Sequence, residues 1–171
     1  MKTAASIAGA IDTLIDKFGM VAAWTSFALV LVMAANVLLR YMFSTGSVWA
    51  QELEWHLLVP ISLLGMSYAL RHGEHVRVDI LFSKYQERTK IQLEIVTALL
   101  SFIVCVIVIR LSIPYVMQSW NYSEGSANPG GIPYRYLLKA IIPFGFFLFA
   151  LQSLADAIKW WLKLKELKAP Q

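Results

Sequence analysis

The feature that most constrains this chain is a run of 21 residues, Gly19 to Leu39, without any Asp, Glu, Lys, Arg or His. A helix needs about 20 apolar residues to cross the roughly 30 Å hydrocarbon core of a bilayer. The composition agrees, because 58% of the 171 residues are hydrophobic and 15% are charged, whereas soluble domains carry about 25% charged residues. The sequence therefore predicts an integral membrane protein and excludes an ordinary soluble domain.

Four apolar segments follow one another along the chain. The predicted membrane spans are about 19–43, 48–70, 91–117 and 134–161. Backbone polar groups in lipid must be satisfied within their own segment, so we expect each span to be a helix. No shift in composition marks a domain boundary. We therefore predict one all-α membrane domain of four helices over residues 1–171.

The first 17 residues precede the first span with an amphipathic pattern. Apolar residues recur at three- and four-residue steps from Ala4 to Phe18, whereas Asp12 and Asp16 fall on the other side. This spacing predicts an N-terminal amphipathic helix over residues 1–17. The helix could lie along the membrane surface, or it could extend the first spanning helix into water.

The distribution of basic residues predicts the orientation. Eleven of the fifteen Lys and Arg residues lie in the N-terminal segment, the second connection and the C-terminal end. Three others, Arg40, Arg135 and Lys139, lie near the opposite ends of the spans, and Arg110 lies within one. Because connections rich in Lys and Arg remain in the cytoplasm, both termini are predicted to be cytoplasmic.

Ionisable residues inside the spans are the first candidates for function, because charge is costly in lipid. Counting 1.5 Å per residue along each helix places four of them in the outer third of the bilayer. We predict that they form a neutral cluster bridging the first three helices, which comprises Arg40, Glu52, Glu54 and Arg110, with Asn36, Trp49 and His56 beside it. The alternative is snorkelling, in which each charge reaches the outer interface independently.

The spacing of Glu52 and Glu54 predicts that their side chains point in different directions. Glu52 and Glu54 are two residues apart, about 200° around a helix, so they cannot both face the interior of a small bundle. Glu52 shares a face with His56, which we expect to be a buried, hydrogen-bonded histidine rather than a ligand. We expect one carboxylate to face another protein, which would make the chain a subunit.

The sequence contains no pattern of an enzyme or a cofactor site. It lacks G-x-S-x-G, H-E-x-x-H, P-loop and C-x-x-C motifs, and its one cysteine is Cys105. Ionisable residues at the middle of the bilayer, where transporters bind substrate and ions, are missing too. We expect no catalytic residue, no metal, no cofactor, no nucleic-acid partner and no transport site on this chain, which would be surrounded by membrane lipids.

Several short motifs occur in an order and spacing that carry a family resemblance. They are Asn36-Val37 with Arg40-Tyr41, Trp49 with Gln51-Glu52, Gly65, Ala69-Leu70-Arg71 with Gly73, His75-Val76-Arg77-Val78-Asp79, Asn128-Pro129-Gly130-Gly131-Ile132-Pro133-Tyr134-Arg135 and Ile142-Pro143-Phe144-Gly145. Over about residues 18–160 the chain resembles the small, DctQ-like membrane subunit of tripartite ATP-independent periplasmic (TRAP) transporters. It departs at Leu53, where members often carry a second consecutive acid.

The resemblance implies an accessory scaffold. Such systems import organic acids across the bacterial inner membrane with a sodium gradient, and a periplasmic binding protein supplies the substrate. The large membrane subunit carries the substrate and sodium sites and moves as an elevator, while the small subunit packs on its stationary part. Sodium is thus expected on the large subunit. The 128–135 stretch resembles a branch for monocarboxylates such as 2-oxo acids or lactate, with C4-dicarboxylates, sialic acids and sulfonates left open.

Two further groups of residues are candidate sites. The cytoplasmic connection carries a motif of Arg71, Gly73, His75, Arg77 and Asp79. Near the outer surface, Glu124, Arg135 and Lys139 could contact the binding protein or could be solvated turn residues.

Other functions remain open on the sequence alone. One is a self-sufficient homo-oligomeric transporter that uses Glu52. The others are a membrane anchor subunit of a redox complex and, less favoured because no nucleophile–base set is found, a membrane enzyme.

Overall fold

The structure is a computed structural model that describes residues 2–74 and 85–167. These residues form four helices: α1 is Lys2–Phe43, α2 is Val48–His72, α3 is Glu87–Asn121 and α4 is Arg135–Glu166. All four are long and apolar enough to cross a membrane, judged by length and composition. The predicted all-α fold with four membrane helices is confirmed.

Consecutive helices are antiparallel, so the chain forms the hairpins α1–α2 and α3–α4. In the second hairpin, the ring of Trp120 meets that of Tyr136 at one end, and Glu87 pairs with Lys163 at the other, 3.2 Å apart. The start of α1 and the end of α4 lie together. We call this the termini end of the bundle, and we call the end with connections 44–47 and 122–134 the loop end.

Helix α4 holds the two hairpins together, because it contacts α1, α2 and α3. Its buried residues form two stripes along the helix at three- and four-residue steps. The first stripe consists of Gly145, Leu148, Gln152 and Ala155, and the second consists of Ala150, Ser153 and Ala157. The first stripe faces the first hairpin, since Leu148 shares a core with Ile15, Ala22 and Leu64. The second stripe lies on the opposite side and is left for α3.

Glycines set the distances between helices. A Cβ on Gly145 would lie 2.7 Å from the Leu63 Cβ and 3.0 Å from the Leu63 carbonyl oxygen, so α2 and α4 approach more closely than a side chain permits. On α1, Gly19 leaves room for the ring of Tyr68. Such close approach favours helix association in lipid, where the hydrophobic effect does not drive helices together.

Helix α3 is attached through a narrow seam. Its buried residues are Ile91, Cys105, Ser112 and Ser119, which are separated by multiples of seven residues. This spacing keeps one line of a helix against its neighbour, and three of the four side chains are small. Most of the large apolar side chains of α3 therefore remain exposed.

The N-terminal segment continues directly into the first span. Residues 2–43 form one helix of 42 residues, about 63 Å long at 1.5 Å per residue. In its first half Ala8 and Ile15 are almost fully buried, whereas Ile7 and Leu14 are exposed. Residues 2–17 are therefore continuous with the first span, and the position of this segment relative to the membrane surface stays a prediction.

We expect Gly145→Ala to destabilise the bundle, because the new methyl group must displace the backbone and side chain of Leu63. Overpacking of this kind costs about 1–3 kcal/mol. Gly65→Ala is the matched control, since a Cβ at Gly65 would meet nothing within 4 Å. This change should leave stability unaltered or raise it by up to about 1 kcal/mol, because alanine is a better helix former than glycine. Thermal unfolding followed by tryptophan fluorescence in detergent measures both, and equal melting temperatures for the two variants would contradict the close α2–α4 contact.

Candidate functional site

Glu52 is the most completely bonded carboxylate at the loop end. It lies in the second turn of α2, and it is 2% exposed. The Ser126 hydroxyl and the Asn128 Nδ2, at 3.1 Å, donate to its Oε1, and the backbone N–H of Ile132 donates to its Oε2 at 2.7 Å. Glu52 thus ties α2 to the connection between α3 and α4.

The 122–134 connection is shaped around this carboxylate. A Cβ on Gly131 would lie 2.6 Å from the Glu52 Oε2, so only glycine fits there. The turn closes with a bond of 3.0 Å from the Gly131 N–H to the Asn128 carbonyl oxygen, and Gly130 takes a left-handed φ of 79° that glycine adopts without strain. The Asn-Pro-Gly-Gly stretch is therefore a fitted cap over Glu52.

Of the three candidate contacts for a binding protein near the outer surface, two are paired with each other and the third, Arg135, lies near them. Lys139 forms an ion pair with Glu124, and this bond is the main reason that the pKa of Glu124 lies below its usual range. Arg135 is close enough to attract both Glu124 and Glu52. We call Glu52, Glu124, Arg135 and Lys139 the loop-end cluster, which has two charges of each sign.

Glu54 faces a different neighbour, as its spacing from Glu52 predicts. Its Oε1 accepts a hydrogen bond of 2.9 Å from the Nδ2 of the buried Asn36 on α1. Glu54 also lines a cavity of about 410 Å³ together with Arg40. Each of the two carboxylates thus has a hydrogen-bond partner within the chain. Glu52 is buried, whereas Glu54 is partly exposed, and that one of them faces another protein stays a prediction.

The structure does not assemble the predicted cluster of Arg40, Glu52, Glu54 and Arg110. Both arginines are exposed, and neither has an ion pair or hydrogen bond with a described residue. Arg110 lies on α3, which packs mainly on α4 and not on α1 or α2. Counting depth placed these residues at a similar height, but it could not tell which basic residue stands beside each carboxylate.

His56 is hydrogen-bonded within α2, and Trp49 lies at the surface of the bundle. The His56 Nδ1 donates to the Glu52 carbonyl oxygen at 2.7 Å. Its Nε2 is buried without a partner among the described residues, beside a cavity of about 260 Å³ that Lys139 also lines. Trp49 is half exposed. No group of three His, Cys, Asp or Glu residues within 2–74 and 85–167 could hold a metal ion.

A second polar group lies at the termini end and is not among the sites predicted from the sequence. Asp12 of α1 accepts hydrogen bonds from Lys159, at 2.6 Å, and from Gln152, at 3.3 Å, both on α4. Asp156 accepts from the same two donors, at 3.3 Å and 2.9 Å. The i, i+4 spacing of Asp12 and Asp16, on the polar side of α1, is the signal in the sequence that points to this group.

Arg71 joins α2 to this group. It pairs with Asp16 and donates to the backbone carbonyl oxygen of Asp12. Gly73 ends α2 with φ 73°, and its N–H bonds to carbonyl oxygens of the last turn, a common helix C-cap. Arg71 and Gly73 of the predicted connection motif thus have structural roles, while His75, Arg77 and Asp79 lie outside the described residues. We call Asp12, Asp16, Arg71, Gln152, Asp156 and Lys159 the termini-end cluster.

We expect Glu52→Gln to release the 122–134 connection. The carboxylate accepts hydrogen bonds at both oxygens, whereas a glutamine side chain has only one accepting oxygen. Hydrogen exchange of residues 124–132, measured by mass spectrometry, should become at least about tenfold faster. Glu54→Gln is the control, since an amide oxygen can still accept from Asn36. Unchanged exchange in Glu52→Gln would show that the cap does not depend on this carboxylate.

We expect Asp12 and Lys159 to be energetically coupled. In a double-mutant cycle of Asp12→Ala and Lys159→Ala, the coupling energy should be about 1–2 kcal/mol, because both side chains are partly buried. The exposed pair of Glu87 and Lys163 is the control and should give less than about 1 kcal/mol. Thermal unfolding in detergent measures both cycles, and additive effects at Asp12 and Lys159 would contradict the contact.

Comparisons with known proteins identify the family of this chain. The family model of the DctQ component of tripartite ATP-independent periplasmic transporters matches residues 29–163. The ectoine TRAP transporter small permease protein TeaB of Halomonas elongata is 29% identical over 155 residues, which are 90% of this chain and 79% of TeaB.

Two further relatives are similar over shorter stretches. The C4-dicarboxylate TRAP transporter small permease protein DctQ of Vibrio cholerae is 30% identical over 56% of this chain and 38% of its own length. The sialic acid TRAP transporter permease protein SiaT of Haemophilus influenzae is 30% identical over 64% of this chain and 17% of its own length. The chain therefore belongs to the DctQ component family of tripartite ATP-independent periplasmic transporters and is a small permease subunit, with four candidate membrane spans.

Proposed function

We propose that this chain is the scaffold subunit of a sodium-coupled transporter for organic acids. In this proposal it packs on the large, elevator-type permease subunit and helps to hold that subunit in the membrane. Substrate and sodium bind to the large subunit, and a periplasmic binding protein delivers the substrate. This chain carries no transport site, no cofactor and no catalytic group.

The placement of the carboxylates is the observation that supports a scaffold most directly. Every carboxylate of the described residues lies toward the termini end or the loop end. Glu52, the candidate for a transport carboxylate, already accepts three hydrogen bonds from its own chain. A transporter binds its substrate and coupling ions near the middle of the bilayer, so a chain with both polar clusters at its ends is better suited to support than to transport.

The names of the relatives support the proposed class of substrate. They refer to ectoine, sialic acid and C4-dicarboxylates, and each of these compounds carries at least one carboxylate. A monocarboxylate such as a 2-oxo acid or lactate, which the 128–135 stretch suggests, belongs to the same chemical class.

We propose that the termini end faces the cytoplasm and the loop end faces the periplasm of the bacterial inner membrane. The excess of Lys and Arg at the termini end supports this orientation. The binding protein would then meet the 122–134 connection. Because Glu124 and Lys139 are paired with each other, they would shape this surface rather than bind the partner directly.

Reconstitution in liposomes tests the proposal. We expect uptake of a labelled organic acid only when this chain, the large permease subunit and the binding protein are combined with an inward sodium gradient. Liposomes that contain this chain alone are the control and should show no uptake. Sodium-driven uptake by this chain alone would instead support the self-sufficient transporter.

Uptake by the complete system that carries Glu52→Gln separates the two functions further. A scaffold role predicts uptake reduced in proportion to the amount of assembled complex. A transport role predicts fully assembled complex without uptake.

A further inference from the structure

We propose that one side of α3 is the surface on which a membrane helix of the large permease subunit docks, and that Arg110 pairs there with a carboxylate of that helix. This side, the outward face of α3, comprises Val96, Leu99, Ile103, Ile107 and Arg110. The inference rests on the proposed function, to which it adds the docking face and the chemistry of the contact.

The outward face points away from the rest of the chain. Arg110 follows Cys105 by five residues, which is about 140° around a helix, and Cys105 lies on the buried seam that packs on α4. Toward the start of the helix, the face continues at three- and four-residue steps with four apolar side chains. These are all roughly half exposed: Val96, Leu99, Ile103 and Ile107.

Arg110 lies within the apolar part of its span, in the outer third of the bilayer. It is ten residues from Trp120, about 15 Å along the helix. Trp120 is exposed and stacks edge to face on Tyr136, and tryptophan at a helix end typically marks the membrane interface. An arginine side chain extends roughly 7 Å. By snorkelling, the guanidinium of Arg110 can therefore reach about half of the way to the interface at Trp120.

The guanidinium of Arg110 has no partner within the described part of the chain. An arginine that faces hydrocarbon is strongly disfavoured, whereas an opposing carboxylate in a closely packed helix would satisfy both its charge and its hydrogen bonds. The charge therefore indicates an acidic residue on the occupant of this face.

A second copy of this chain is a poor occupant. A two-fold dimer places the same patch of both chains in contact, which would bring two Arg110 side chains together. The large subunit fits better. In the relative SiaT, the region similar to this chain is one part of a much longer permease protein, since the match covers 17% of it.

Site-specific photo-crosslinking in the complete complex tests the docking face. A photoreactive phenylalanine analogue is placed at Ile103 or Ile107, and at Leu31, an exposed apolar residue of α1, as the control. We expect crosslinks to the large subunit from Ile103 and Ile107 and none from Leu31. Crosslinks from Leu31 alone, crosslinks between two copies of this chain, or crosslinks only to lipid would each overturn the proposed face.

Substitution of Arg110 tests the charge pairing. Arg110→Leu should reduce the large subunit that co-purifies in mild detergent by about tenfold or more, because it leaves a buried carboxylate unpaired, whereas Arg110→Lys should retain most of it. Arg88→Leu makes the same change in the exposed first turn of α3 and should have no effect. Equal co-purification of Arg110→Leu and wild type would overturn the pairing.

The two proposals fail in different ways. If the unmodified chain co-purifies with the large subunit but the crosslinks come from another face, the scaffold function stands and this docking face is wrong. If the unmodified chain does not co-purify with the large subunit at all, the scaffold function fails together with the docking face.

Discussion

The architecture depends on how closely the other helices can approach α4. Lipid chains are as apolar as the side chains they would replace, so burial of apolar surface contributes little to helix association in a membrane. Contact distance matters instead. Gly145 allows α2 to approach, and Ala150, Ser153 and Ala157 leave a flat surface on the other side of α4. Helix α3 packs against this surface through its own small residues, Cys105, Ser112 and Ser119, so the contact between α3 and α4 is narrow.

Polar contacts then fix the two ends of this bundle. At the loop end, Glu52 holds the 122–134 connection through three donors. At the termini end, Asp12 and Asp16 join α1 to Lys159 of α4 and to Arg71 of α2. Buried charges are favourable only when they are paired and hydrogen-bonded, and both clusters meet this condition largely within the chain. The arrangement suits a rigid element of a larger assembly.

The two arginines outside these clusters, Arg40 and Arg110, differ in their distance from the end of their helix. Arg40 lies in the last turn of α1, where its side chain can reach the interface, and it shares a cavity with Glu54. Arg110 lies within the apolar part of its span and faces away from the chain. A scaffold must expose the surface that its partner covers, and in lipid a charge marks such a surface more clearly than apolar area does.

The sequence by itself determined the four helices and the family, because apolar runs of membrane length have few other solutions. It also predicted that Glu52 and Glu54 point in different directions, since helical periodicity fixes that angle. Only the tertiary structure decided their partners. Depth along a helix can be counted from the sequence, but neighbours depend on which helices are in contact. The cation near Glu52 is Arg135 of α4, not Arg40 of α1 or Arg110 of α3. For the same reason the sequence places Asp12 on the polar side of α1, but only the structure shows that it joins α1 to α4.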